Sequence, residues 1–291
     1  MTNDECPTND ERKTSRGITS PKKVVNLAGM LSRMRWLRLL PILLAIGCGS
    51  TATPSGSGTV RVAAAASLKP ALEEILPVFR EKHPGVSVDA TYGASGTFFA
   101  QITNGAPFDL FLSADTDYPR RLVEQGAGRE DGFFRYATGR LVVWVPPGST
   151  IPLEADGLPA LARPGVRTIA LANPRHAPYG RAAEAALGRA GVWDAVRDRV
   201  VYGENVEQVA NILHSGTADA GFLPLSLAQS PTLASGRVWA VHPDLYPPVD
   251  QSGVVLTTAT GTAAAESLRA FLTGPEGQAI LARHGFDPPR E

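Results

Sequence analysis

From Thr59 onward the sequence predicts an α/β fold, because short β-rich runs alternate with longer stretches whose apolar residues recur at helical spacing. Val60–Ala66 reads as a strand. Leu68, Ala71, Leu72, Ile75, Leu76 and Phe79 then form the apolar stripe of a helix, which Pro77 is expected to kink or end early. Val86–Thr91 and Phe108–Leu112 are strands, each followed by a helix, at Thr97–Thr103 and Asp117–Gln125. Leu141–Val145 is a strand closed by Pro146-Pro-Gly148. Thr168–Ala172 leads into a helix over Tyr179–Ala190, with a short helical piece at Asp194–Arg199. Val200–Tyr202 leads into a helix carrying Val206, Val209, Ala210 and Leu213. Ala218–Leu223 and Arg237–Val241 are short strands, and Val249–Leu256 is the last strand before helices at Thr262–Thr273 and Pro275–His284. There is no internal repeat and no sustained block of charge.

The bulk composition fits this reading. The chain has 291 residues, 43% hydrophobic and 19% charged, with 28 basic and 28 acidic side chains, so it suits one large domain or two lobes. Zero net charge supplies no electrostatic reason for a nucleic-acid partner or an acidic membrane surface. Both cysteines, Cys6 and Cys48, lie near the N-terminus, which leaves the body without a disulfide, thiol nucleophile or cysteine metal site. The five histidines are scattered, with no HxH or HExxH pair.

The N-terminus reads as an address. Residues 1–33 are an irregular polar extension, disordered or arising from a mis-assigned start. Residues 34–48 have the form of a signal: a basic start at Met34-Arg-Trp-Leu-Arg38, an apolar run Leu39–Ile46 too short to span a bilayer, then Gly47-Cys48. Leu44–Cys48 resembles a bacterial lipoprotein cleavage box, which would make Cys48 the lipidated first residue of the mature chain. Ala45 stands where that box prefers leucine, and a plain secretory signal is the alternative. Residues 49–58 form a Gly/Ser-rich linker, and the body is expected to work outside the cytoplasm.

The chemistry concentrates at four strand-to-helix corners, none charged. These are Ala64-Ala-Ala-Ser67-Leu, Tyr92-Gly-Ala-Ser95-Gly, Pro174-Arg-His-Ala-Pro-Tyr179-Gly and Gly203-Glu-Asn205-Val206, the last with Gln208 placed for a capping-box-like start. Each helix N-terminus offers unpaired N–H groups and the positive end of a dipole, and Ser67 and Ser95 add hydroxyls. In open α/β sheets ligands collect beyond the carboxyl ends of strands, where these corners lie. A serine before a helix is more often only an N-cap, so no single corner is diagnostic. Phosphate-loop and dinucleotide motifs are absent, and Gly93-Ala-Ser-Gly-Thr97 misses the hydrolase nucleophile elbow at its last position.

In order, the motifs Ala-Ala-Ala-Ser67-Leu, Gly-Ala-Ser95-Gly, Gly105-Ala-Pro-Phe-Asp-Leu-Phe-Leu-Ser-Ala-Asp115, Asn173–Gly180, Gly203–Val206, Gly274-Pro-Glu-Gly277 and Gly285-Phe286 resemble the periplasmic molybdate-binding proteins of ABC transporters. The resemblance runs from about Val60 to Phe286 and implies the type II periplasmic binding protein fold: two α/β lobes joined by two crossover strands. It implies residues 59–140 plus 250–291 as lobe 1 and 141–249 as lobe 2, with crossings near Gly139–Leu141 and Val249–Gln251. Ser67 and Ser95 would bind oxyanion oxygens by hydroxyl and N–H; Tyr179 and Val206 would donate backbone N–H from the other lobe. The implied partners are molybdate or tungstate and the membrane permease of an importer. The protein would be a monomeric, non-enzymatic carrier with no resident cofactor, in the periplasm or on the outer membrane face, touching the membrane only through a lipid on Cys48.

One position departs: many relatives carry an anion-binding tyrosine where this chain reads Ala220-Gly-Phe-Leu-Pro224-Leu-Ser226, and Ser226 is the nearest substitute hydroxyl. Asp109 and Asp115 are expected to be structural, turned away from the anion or paired. A site of donors without acceptors suits a fully ionised dianion and penalises hydrogen phosphate by about 1–3 kcal/mol. The alternatives are another ligand on the same fold, such as sulfate or a ferric ion, and a secreted hydrolase.

Overall fold

The computed structural model describes residues 58–290; the extension, the signal-type segment with Cys48 and nearly all of the linker lie outside the described residues. In chain order the elements begin β1 (Gly58–Ala65), α1 (Lys69–Lys82), β2 (Val86–Gly93), α2 (Ser95–Thr103), β3 (Leu110–Ser113), α3 (Asp117–Glu124), β4 (Gly128–Gly139) and β5 (Leu141–Val145). They continue with α4 (Leu153–Asp156), β6 (Ile169–Ala172), α5 (Pro178–Arg189), α6 (Trp193–Val196), β7 (Val200–Gly203), α7 (Val206–His214), β8 (Ala220–Pro224) and α8 (Leu225–Ala228). The last are β9 (Arg237–Ala240), β10 (Val249–Leu256), α9 (Thr262–Thr273), α10 (Pro275–Arg283) and β11 (Phe286–Asp287).

Two sheets organise these elements into two lobes. The first has the order β11-β4-β10-β3-β1-β2 and the second β7-β6-β8-β5-β9. In each, three parallel strands (β2-β1-β3 and β7-β6-β8) form the half whose carboxyl ends feed helices, and antiparallel strands complete the other half. The chain passes from the first sheet to the second between Gly139 and Leu141, and returns through residues 241–248 into β10. There Val249 pairs with Gly139, and so does Phe286 of β11, so the passage is braced on both sides.

Two differences from the sequence reading have physical causes. The helix does not end at Pro77: α1 continues to Lys82, because Pro77 lies on the exposed face, where the carbonyl left without a donor is open to water. The 12-residue strand β4 was hidden by the polar stretch Arg129–Asp131. Its period-2 signal lies in Gly132, Phe134 and Tyr136, which are buried in alternation.

Each sheet has its own apolar core, and a smaller cluster around Phe98, Phe111, Leu122 and Val254 fills the other face of the first sheet. Asp109 ties the first lobe together. Its buried carboxylate accepts from Arg61 N at 2.8 Å, Arg61 Nε at 3.1 Å and Thr260 N at 2.8 Å. Burial alone would raise its pKa, but the Arg61 side chain, Arg61 N–H and Thr260 N–H outweigh it and hold the carboxyl at about 2. Because the folded value is below the unfolded one, this pairing contributes about 2 kcal/mol above pH ~4, lost as the pH falls through about 2. Asp109→Asn should therefore lower denaturant-measured stability by about 2 kcal/mol at pH 7, with the gap to the parent narrowing steadily as unfolding is repeated toward pH 2.

Candidate ligand-binding site

The four corners meet. Ala65, Ala66, Ser67, Ala94, Ser95, Ala114, Pro178, Tyr179, Asn205 and Val206 line one closed cavity between the lobes, with ≈ 10 Å³ open to the centre of a water-sized sphere. By that measure it has the scale of a water or a compact ion, not of a sugar or peptide. No Asp, Glu, His, Lys or Arg lines it. Ser67, Ser95, Tyr179 and Val206 are at most 4% exposed, so in this arrangement of the lobes the groups around the cavity are shielded from bulk water.

Local sequence explains how each corner arrives. The small residues ending β1 admit a tight 3-10 turn, Ala66–Leu68, which carries Ser67 before α1 begins. Ala94 is the N-cap of α2, so Ser95 is the first helical residue and not a cap. Pro178 pre-sets the backbone at the first position of α5. Next to Tyr179, Gly180 sits so close to β6 that a Cβ there would lie 2.1 Å from the Ala172 carbonyl oxygen. Asn205 caps α7, accepting from Glu207 N at 2.9 Å and Gln208 N at 3.0 Å, while Gln208 reaches back to Glu204 N.

The donors are left available. Helix geometry gives the N–H groups of Ser95, Tyr179 and Val206 no intrahelical acceptor, and Asn205 satisfies only the two residues after Val206. The Ser95 hydroxyl accepts from Ala114 N at 3.0 Å, which leaves its proton to donate elsewhere. The Ser67 hydroxyl is buried and has no hydrogen-bond partner among the described residues. Neither serine makes a cap hydrogen bond, so the ordinary explanation for serine at a helix start fails at both. Three helix N-termini and the turn before α1 thus aim partial positive charge at one uncharged, closed space, an arrangement that receives an anion.

Contacts between the lobes surround the cavity. Gly96 N donates to the His176 carbonyl at 2.8 Å, and Lys69 pairs with Glu207. Arg181 of α5 pairs with Asp115 beyond β3 and stacks on Tyr118, 5.5 Å from the ring centroid. Burial pushes the Asp115 carboxyl above its usual range; the Tyr118 N–H and Arg181 only partly offset this. The sequence marks Asp115 as a structural carboxylate, and the pairing agrees; that it ties the lobes is not a local property, because its partner lies 66 residues away. Ser226 is not a substitute ligand: its hydroxyl donates to the Ser67 carbonyl at 2.7 Å and it does not line the cavity. It braces the turn that presents Ser67.

The serines separate in the ligand-free protein. Ser67→Ala removes an unpartnered buried hydroxyl and should leave melting temperature unchanged or higher. Ser95→Ala strands the Ala114 N–H and should cost about 1–3 kcal/mol in thermal or denaturant unfolding.

Comparison with known proteins agrees with this architecture. The chain is 36% identical to the molybdate-binding protein ModA of Rhodobacter capsulatus over 235 residues, 81% of this chain and 90% of that protein. It is 34% identical to ModA of Azotobacter vinelandii, covering 84% of this chain and 96% of that protein. The solved A. vinelandii periplasmic molybdate-binding protein superposes with a TM-score of 0.73 at 32% identity, over 79% of this chain and 100% of that one. The Mycobacterium tuberculosis sulfate-binding protein SubI reaches a TM-score of 0.68 at 21% identity, over 79% of this chain and 86% of that one, a likeness of fold alone. The fold is that of type II periplasmic binding proteins. Residues 60–287 match the model of the bacterial extracellular solute-binding proteins, and with two lobes closed over a donor-lined cavity the chain belongs to that family.

Proposed function

We propose that this protein captures molybdate or tungstate outside the cytoplasm and hands it to the membrane permease of an ABC importer, acting by binding and not by catalysis. The observation that carries the reading is the closed cavity whose hydroxyls and helix N-termini are poised to donate, with the Ser67 hydroxyl unpartnered. Ser67 and Ser95 contribute hydroxyls from one lobe, and Tyr179 and Val206 contribute N–H groups from the other. A dianion can accept from every one of these donors, whereas the proton of hydrogen phosphate finds an acceptor only if a serine hydroxyl turns from donating to accepting, which forfeits one bond to the anion. The molybdate-binding relatives support the choice among dianions. The cavity lining supplies no general acid or base, and capture needs no resident cofactor. The residues lining the cavity all come from one chain, which suits a monomeric carrier.

A screen of purified protein against oxyanions tests this directly. Molybdate or tungstate at 100 times its dissociation constant should raise stability by about 2.7 kcal/mol, roughly 5–11 °C in melting temperature. Sulfate should do less and phosphate least; a shift with sulfate and none with molybdate or tungstate would overturn the ligand assignment. Ser67→Ala and Ser95→Ala should each weaken binding about ten- to 150-fold by calorimetry.

The same reading extends to the N-terminus. Cys48 carries lipid and holds the mature protein at the outer membrane face, so Cys48→Ser should release the chain or leave it unprocessed. Intact-mass analysis of the mature N-terminus decides this: an unmodified chain starting beyond Cys48 would end the anchored form and leave a free periplasmic carrier.

A further inference from the structure

Gly139 is the last residue of the first sheet before the chain passes to the second, and Tyr179 belongs to α5 of the second lobe. A Cβ on Gly139 would lie 1.8 Å from the Tyr179 hydroxyl oxygen, 2.9 Å from its Cζ and 3.1 Å from Gln251 Nε2. The backbone of Gly139 is not in the left-handed region, so conformation does not demand glycine there. The close approach of Tyr179, and less severely that of Gln251, does. A second, independent observation comes from the same spot. The Tyr179 hydroxyl and Gln251 Oε1 are both buried without a hydrogen-bond partner among the described residues, although one is a donor and the other an acceptor. The Gln251 amide nitrogen is already engaged with the Val249 carbonyl at 3.1 Å.

We propose that Gly139 and the Tyr179 hydroxyl form the stop against which the two lobes close, so that Tyr179 sets ligand affinity through its side chain at the hinge as well as through its N–H at the cavity. This rests on the ligand reading above only for the choice of probe. In the closed form the tyrosine is pressed onto a bare Cα and its hydroxyl has no partner among the described residues, which opposes closure. Ligand binding must overcome that opposition, so apparent affinity follows the fraction of molecules able to close. Tyr179 is therefore a positioning residue, and Gly139 is the space it needs.

Four proteins test this: the parent, Gly139→Ala, Tyr179→Phe and the double variant, each studied by calorimetry with molybdate and by small-angle X-ray scattering with and without it. Gly139→Ala should melt near the parent when ligand-free, fail to compact on adding molybdate, and bind at least about tenfold more weakly. Tyr179→Phe should bind about fivefold more tightly. The double variant should recover part of the loss, since the 1.8 Å conflict is gone and only the milder approaches of 2.9 Å to the ring and 3.1 Å to Gln251 Nε2 remain. Parent-like binding and compaction by Gly139→Ala, or a double variant no better than Gly139→Ala, would overturn the proposal. Should Gly139→Ala not fold, Tyr179→Phe decides alone, with unchanged or weaker affinity as the refuting result. If the parent itself ignores molybdate, the ligand reading fails separately. The ligand-free scattering then remains decisive: Gly139→Ala must be more extended than Tyr179→Phe.

Discussion

The start of every helix leaves N–H groups that the helix cannot satisfy, and burying them without an acceptor costs about 1–3 kcal/mol apiece. This protein points several such starts into one closed space. α2 approaches from the first lobe, α5 and α7 from the second, and the turn at Ala66–Leu68 adds the Ser67 hydroxyl. Most of the fold can be understood as the scaffolding for that convergence. Parallel strands bring the corners to one end of each sheet, the double passage at Gly139 and Val249 sets the ends face to face, and Asp109 ties β1 to the segment that leads into α9.

The lobes are held together by contacts that differ in kind. Gly96 and His176 meet backbone to backbone, Ser226 grips the carbonyl of the Ser67 turn, and the Lys69–Glu207 and Arg181–Asp115 pairs bridge the lobes with opposite charges. None of these ties lines the cavity with charge. The formal charges that favour closure are kept out of the space where an anion would sit, so they neither compete with it nor attract a counter-ion in its place.

Much of this was legible in the sequence, and the boundary is instructive. The corners at Ser67, Ser95, Tyr179 and Val206 are local events, each written in a few consecutive residues, and the structure brings all four to one cavity. Whether a serine caps or binds is not local. For Ser95 the answer depends on Ala114, and for Ser67 on the absence of any partner among the described residues. Ser226 shows the same limit from the other side: a hydroxyl near the right place in sequence turned out to serve the turn and not the cavity. β4 is not legible locally, because its inward alternation is carried by Gly132, Phe134 and Tyr136 after a charged start, and its pairing is with strands more than 100 residues away.

A recognition site assembled mainly from main-chain N–H groups has an unusual relation to heredity. Any amino acid except proline supplies the same donor, so positions such as Val206 can drift in identity while the chemistry they offer stays constant. The quantity under selection is where the helices begin, to a fraction of an ångström, and that is enforced by small residues behind the corners, such as the alanines ending β1 and the glycine after Tyr179. Redesigning such a protein for an ion of another size would then be a matter of shifting helices, through the packing beneath them, more than of exchanging the residues that touch the ion.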